Sequence, residues 1–422
     1  MNHTRPGSFT VYLERLKKYR CHAVGKEWEE SGKTRTCGLF GFALRFGLGT
    51  GQARMPVPLQ QYLARRGYSI FLNALGFAAV GLALTFGFNA RAGYEVFVSN
   101  ERAGNLTVIK GADFQVLTNI PVGKRPRGIR ASPDGKTVYV ALSGTPVEPP
   151  PQLDANGSPI LKKNSTEDDL AATDKAADGI GLVDVAGRRF LRKIPAGSDP
   201  ENFALNADGS RIYIANEDVG AATVLNATNG KAITFIPVSR EPEGVGPSPD
   251  GKFFYVTCET AGDVYAIDTK SYKVFAHIVV HPRPRSVAFL PDGSRAFIPS
   301  ESVGELNVID TASQTLMKVI TLPKGSRPMT VLVSRDGKKI YASTGRAGTV
   351  VVLDAHTGEL LNTIPVGKRP WGMTFSPDGK LLFTANGPSD DVSVVDLASE
   401  KEIARVKSPG SPWGVVAVRD GK

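Results

Sequence analysis

Beyond residue 93 the chain alternates short apolar runs with turn-forming residues and never sustains a helical period. One passage shows the pattern: Met373-Thr374-Phe375, then Ser376-Pro377-Asp378-Gly379, then Leu381-Leu382-Phe383-Thr384-Ala385. Apolar runs this short, bounded by Asp-Gly, predict strands joined in a hairpin. Gly reaches positive φ cheaply at such a turn, and Asp bonds the neighbouring backbone. Nearly continuous aliphatic runs follow, as in Val308-Ile309-Asp310, Val352-Leu353-Asp354 and Val394-Val395-Asp396. They predict strands buried on both faces. The carboxylates that close these runs (Asp184, Asp268, Asp310, Asp354, Asp396) are spaced as turn caps rather than as a ring of ligands.

The same unit is written seven times. Its anchor prolines are Pro126, Pro200, Pro242, Pro284, Pro328, Pro370 and Pro412, and each is followed eight residues later by Asp-Gly. Successive anchors lie 74, 42, 42, 44, 42 and 42 residues apart. A period of about 40–45 residues holding four short strands is the signature of a β-propeller. The expected fold is therefore all-β, a seven-bladed β-propeller of four-stranded blades over residues 93–422. The last repeat stops after its first strand, and Glu95 to Ser99 supplies the missing second strand. One blade is thus predicted to be closed by the N- and C-terminal strands together, which removes open sheet edges.

The first interval carries the surplus, an insertion at 143–180 between the second and third strands. Loops of that length in compact domains are functional or unstructured. Its position predicts a lid over the channel mouth, with Glu167, Asp168 and Asp169 reaching for Arg125, Arg127 or Arg283/Arg285.

Charge changes the picture only at the N-terminus. The whole chain is formally +10, but residues 1–92 hold 13 Lys+Arg against 4 Asp+Glu, so the repeats are nearly neutral. That weakens a nucleic-acid reading. Arg65-Arg66, an apolar stretch from Ile70 to Phe88 and Ala90-Arg91-Ala92 form a secretory signal over 55–92, ending before Gly93. The alternative is an uncleaved membrane anchor. Met55 fits as the true start, leaving 1–54 as a gene-model extension. The expected location is periplasmic or secreted. Cys258 is the one cysteine of the repeats, so no internal disulfide is expected there.

Candidate chemistry flanks the prolines, where the innermost strands begin at the mouth of the channel. In ring order the flanking pairs are Arg125/Arg127, Asp199/Glu201, Glu241/Glu243, Arg283/Arg285, Arg327/Met329, Arg369/Trp371 and Ser411/Trp413. Two acidic blades lie between basic ones, and an aromatic sector completes the circle. Such a funnel suits a polar ligand with a flat part, or a charged loop of a periplasmic protein partner. The bland alternative is that the two arcs only neutralise each other. Glu101, Glu217, Glu259 and Glu301 fall in loops on the same face and read as solvated. His281 has reach to the funnel, whereas His277 reads as a strand residue. C-x-x-C-H, G-x-S-x-G and H-E-x-x-H are absent, and Asp154-Ala155-Asn156-Gly157-Ser158 misplaces the Gly of a calcium loop. No cofactor, no metal and no catalytic residue is expected.

Pro-x-Gly, Ser-Pro-Asp-Gly-Lys, Tyr-Val-Ala and Val-x-Val-Ile-Asp together resemble the YVTN-repeat propellers of bacteria, across roughly residues 94–422. Gly197-Ser198-Asp199-Pro200-Glu201, Glu241-Pro242-Glu243-Gly244, Arg283-Pro284-Arg285 and Ser411-Pro412-Trp413-Gly414 are similar to the periplasmic propellers associated with pyrroloquinoline quinone (PQQ)-dependent catabolism. The long insertion and Arg327-Pro328-Met329 depart from that pattern. The resemblance implies an exported binding or scaffold protein, accessory to periplasmic quinone-dependent redox enzymes, with no established catalysis. The alternatives are a lactonase-like hydrolase using the same funnel and, less favoured, single-stranded nucleic-acid binding.

Overall fold

The computed structural model describes residues 93–146 and 173–419, and they form the ring that the repeats predict. Seven antiparallel four-stranded sheets stand side by side, and the innermost strand of each begins at its anchor proline or, in the blades of Pro126 and Pro284, three or four residues after it. Blades 1–7 are numbered here from Pro126 to Pro412. Blade 3 is representative, with strands Pro242–Pro247, Phe253–Cys258, Asp263–Asp268 and Val274–Val279 from the axis outward. Its second and third strands are almost wholly buried, while the outermost exposes alternate residues such as Phe275 and Val279. This gradient is why the continuous Val/Ile runs sit in third strands and alternating ones outside.

The core is not one mass but seven apolar seams, one between each pair of neighbouring blades. Blade 7 is seamed on both sides. Phe97 and Val108 pack on Ile129 and Val140 of blade 1, and Val98 and Val415 pack on Phe383 and Val392 of blade 6. Its innermost strand, Pro412–Arg419, pairs antiparallel with Tyr94–Asn100 so that Glu95 meets Val418 and Ser99 meets Gly414. The closure predicted from the chain ends is therefore present in the expected register.

The carboxylates after the third strands cap turns, as expected. Asp268, Asp310 and Asp354 each accept two backbone N–H bonds from the residues two and three further on. Cys258 is buried at the end of its strand, and burial pushes its thiol up to about 12. The proposed extension (1–54), the signal segment (55–92) and residues 147–172 of the insertion lie outside the described residues. Among the described residues no helix is long and apolar enough to cross a membrane.

Near the axis the innermost strands crowd one another. A Cβ on Gly372 would stand 2.8 Å from the backbone oxygen of Trp413 and 2.9 Å from Cα of Gly414. Backbone cannot swing aside as a side chain does. Gly372→Ala is expected to cost about 1–3 kcal/mol, read as a lower thermal midpoint at unchanged fold by circular dichroism. An unaltered midpoint would show that the ring expands freely there.

Candidate funnel at the mouth of the ring

The connector into each innermost strand has a conformation that the sequence does not advertise. Arg125, Asp199, Glu241, Arg283, Arg369 and Ser411, each the residue before an anchor proline, have φ between 42° and 63°. Non-glycine residues enter this left-handed region at a cost of order 1 kcal/mol or more. Six of the seven blades therefore hold a strained kink where the candidate residues emerge, and Arg327 is the exception.

Two closed ion clusters fill one side of the mouth. Arg127, 2% exposed, binds Asp199 and Glu201 of the next blade, reaches Glu217 at 3.2 Å and donates to the Pro200 carbonyl at 3.0 Å. Arg285, 8% exposed, meets Glu243 at 2.5 Å, Glu259 at 2.6 Å and Glu301 at 2.5 Å. Arg283 joins the second cluster through Glu259, with Glu301 at 3.7 Å. Arg125 lies apart, bound to Glu101 at 3.0 Å and to the Thr145 carbonyl at 3.1 Å. The loop glutamates Glu217, Glu259 and Glu301 are thus members of the clusters, and Glu101 pairs with Arg125, so none of the four is the simply solvated residue expected. Asp199, Glu201 and Glu243 are engaged by guanidinium groups, so the acidic arc is not open to a cationic ligand as its composition implies. Glu241 stays outside, exposed and accepting from the Thr260 hydroxyl.

The other side is aromatic and cationic. Trp371 and Trp413 stack with centroids 5.4 Å apart at 26°. Arg369 lies 4.9 Å from the Trp371 ring and Arg285 5.7 Å from it. Among the described residues Arg327 donates only to backbone, to the Ser302 carbonyl at 2.9 Å and the Glu301 carbonyl at 3.5 Å. Among the described residues neither Arg327 nor Arg369 forms a salt bridge. Met329 is buried.

Three carboxylates around one guanidinium cannot all stay ionised cheaply, and the proton balance shows it. Burial pushes the Asp199 carboxyl up, but Arg127, Ser143, Arg125 and Lys175 together outweigh it and leave it below the usual carboxylate range. Glu217 goes the other way. Burial raises it to about 7, Arg127 opposes, and the charges of Asp199 and Glu259 add to the rise. Its side chain remains 31% exposed. Burial also holds Glu243 well above its ordinary value against the pull of Arg285, helped by Glu259 and Glu217. Burial raises Glu301 too, but Arg285 and Arg283 bring it below. The funnel therefore holds one carboxyl poised near neutrality and still reachable by solvent.

Residues outside the mouth set this geometry. A buried hydroxyl on a second strand donates to the backbone carbonyl of the residue that follows the next blade's anchor proline. Ser99 holds the Arg127 carbonyl at 2.6 Å, Thr257 that of Arg285 at 3.0 Å, and Ser343 that of Trp371 at 2.8 Å. The other four blades have Ala141, Ala215, Pro299 and Ala385 at this place, a difference visible in the sequence but without meaning until the blades are stacked. Asp178, on the returning arm of the insertion, accepts from the backbone N–H of Gly144 at 2.7 Å and of Asp199 at 3.1 Å. Lys124 meets Asp174 at 2.9 Å, and Lys175 pairs with Asp218 beside Glu217. The acidic lid residues Glu167, Asp168 and Asp169 lie outside the described residues. His281 pairs with Glu305 and His277 with Asp263 at 3.0 Å, so neither joins the funnel. Among the described residues no cluster of three or more His, Cys, Asp or Glu is arranged to hold a metal ion.

Comparison with known proteins agrees with the architecture. A family model described as lactonase, 7-bladed beta-propeller, matches residues 241–409. No curated protein sequence matches significantly. Similar solved structures include a putative 6-phosphogluconolactonase from Bacteroides uniformis (17% identity, TM-score 0.61, 78% of this chain and 100% of that one). The periplasmic gluconolactonase of Pseudomonas aeruginosa is 20% identical, with TM-score 0.59 over 77% of this chain and 99% of the other. Kuenenia stuttgartiensis hydrazine synthase is 20% identical, with TM-score 0.57 over 70% and 95%. At these identities the structural likeness establishes the seven-bladed fold. Association with quinone-dependent enzymes has no counterpart among these names.

Proposed function

We propose that this protein is an exported hydrolase of cyclic esters, acting on lactones at the funnel. The observation that carries the reading is Glu217, a solvent-reachable carboxyl pushed to about 7 among fully closed ion pairs. A general base works best with a pKa near the operating pH. Ionised Glu217 takes a proton from water as that water attacks the lactone carbonyl carbon. The carbonyl oxygen gains the electron pair, then returns it as the ring C–O bond breaks, and the proton held by Glu217 passes to the departing ring oxygen to leave a hydroxy acid. Arg369, with no salt bridge among the described residues, is the donor available to the developing oxyanion. Burial lowers its pKa, yet it remains a cation at neutral pH. Trp371 and Trp413 offer the stacking face for the ring. Arg327 and Arg369 favour substrates bearing an added acidic group. The lactonase family match over residues 241–409 supports this reading above that of an accessory binding protein.

The test is hydrolysis of a panel of neutral and acidic sugar lactones by the mature chain, followed by pH-stat. Turnover is expected, with Trp371→Ala raising KM about 5- to 150-fold and changing kcat less, as loss of a stacking surface worth about 1–3 kcal/mol requires. Release of hydroxy acid no faster than in a blank would overturn the proposal and return the funnel to a binding role without turnover.

A further inference from the structure

One blade breaks the internal symmetry of the ring below the funnel. Four residues after each anchor proline, the innermost strand pairs with the leading aromatic of the second strand. Arg130 faces Tyr139, Ala204 faces Tyr213, Gly246 faces Tyr255, Ala288 faces Phe297, Leu332 faces Tyr341, Thr374 faces Phe383 and Val416 faces Phe97. Six structurally equivalent positions are small or uncharged. Blade 1 alone places a guanidinium there.

Among the described residues no charged group neutralises it. Arg130 donates from Nη1 to the carbonyl of Ile129 at 2.8 Å and from Nη2 to Oδ1 of Asn202 at 3.1 Å. Both acceptors are neutral, and among the described residues no carboxylate pairs with it. Glu201, beside Asn202 in sequence, is committed to Arg127. Burial alone pulls Arg130 down to about 10, with no opposing anion. Asn202 belongs to the innermost strand of blade 2, so the guanidinium bridges the two strands that line the axis. Two of its five N–H groups are engaged, and the residue keeps part of its surface open. An Arg whose desolvation is not offset by a partner is costly, and six blades show that the fold does not require it.

We propose that Arg130 makes the central channel an anion-binding site, about 10 Å below the funnel at some 3.3 Å per strand residue, for a small oxyanion such as phosphate or a carboxylate. Fork geometry suits two oxygens of such a group. The site is separate from the proposed catalytic carboxyl and does not depend on it.

The experiment compares wild type, Arg130→Leu (the residue of blade 5) and Arg130→Lys in thermal unfolding against inorganic phosphate, and separately against gluconate. A ligand bound to the folded state raises the midpoint with concentration. Phosphate also stabilises proteins generally, so the readout is the slope of wild type beyond that of the Leu variant. An added rise of a few degrees in wild type, reduced in the Lys variant and lost in the Leu variant, is expected. Gluconate acting through Arg130 as strongly as phosphate would identify a carboxylate as the physiological anion; phosphate alone would identify an inorganic one. A bromide-soaked crystal should show its anomalous peak at the guanidinium, which decides the matter even if the Leu variant folds poorly. Equal slopes in wild type and the Leu variant, or bromide found only elsewhere, would overturn the proposal.

Discussion

Removal of residues 411–422 is expected to yield a chain that aggregates. The deletion takes away the strand Pro412–Arg419 and every backbone bond it makes to Tyr94–Asn100. Val418 leaves the seam with blade 1, and Val415 leaves the seam with blade 6. Each fully buried aliphatic side chain contributes about 1.5–3 kcal/mol, against a total stability of about 5–15 kcal/mol. The loss also opens the Tyr94–Asn100 edge to pairing with other chains. Two further contacts go with it, the Trp371–Trp413 stack and the Ser99 bridge that ties Gly414 to the Arg127 carbonyl. Soluble yield and light scattering after refolding measure the outcome. A truncated chain that melts like wild type would mean that the ring does not rely on this closure.

The ring itself was legible because each repeat states its own turn, and the turn chemistry is local. Ser376-Pro377-Asp378-Gly379 needs only its own backbone, as the bond from the Gly379 N–H to the Ser376 carbonyl shows. Closure was legible for a related reason, since a missing second strand at one end and a spare one at the other admit one solution. The funnel was legible as a set of residues but not as an electrostatic arrangement. Which guanidinium meets which carboxylate depends on the offset between neighbouring blades, and that offset joins Arg127 to Asp199 and Glu201, residues more than seventy positions away. Glu217 could not be told from a solvated loop glutamate, because its shift arises from burial and from Arg127, Asp199 and Glu259, none adjacent in sequence. Left-handed φ before the anchor prolines was equally hidden. Arg, Asp, Glu and Ser are unremarkable before proline, and the ring imposes the conformation on them.

Glu217→Gln is expected to abolish most of the hydrolysis while leaving the fold intact. The amide keeps the size of the side chain, and Arg127 retains Asp199, Glu201 and the Pro200 carbonyl. Loss of a general base lowers kcat/KM by about 10²–10⁴-fold. In wild type kcat/KM is expected to rise with pH through about 7, where the carboxyl ionises, and the variant's residual rate should lack that limb. Stability runs the opposite way. The folded-state value near 7 lies above the ordinary value of 4.5, so folding favours the protonated acid. That contribution is fully present below about pH 4.5 and is lost as pH rises through 7. Wild type should therefore lose stability between these values, and Glu217→Gln should lose less, ending more stable relative to wild type at pH 8 than at pH 5. The same burial that tunes the base would then be the source of the strain, as is common at functional sites. Denaturant midpoints at pH 5 and pH 8 check the stability arm and steady-state rates check the other. A variant that hydrolyses like wild type, or a pH dependence of stability identical in the two proteins, would remove Glu217 from the role given to it.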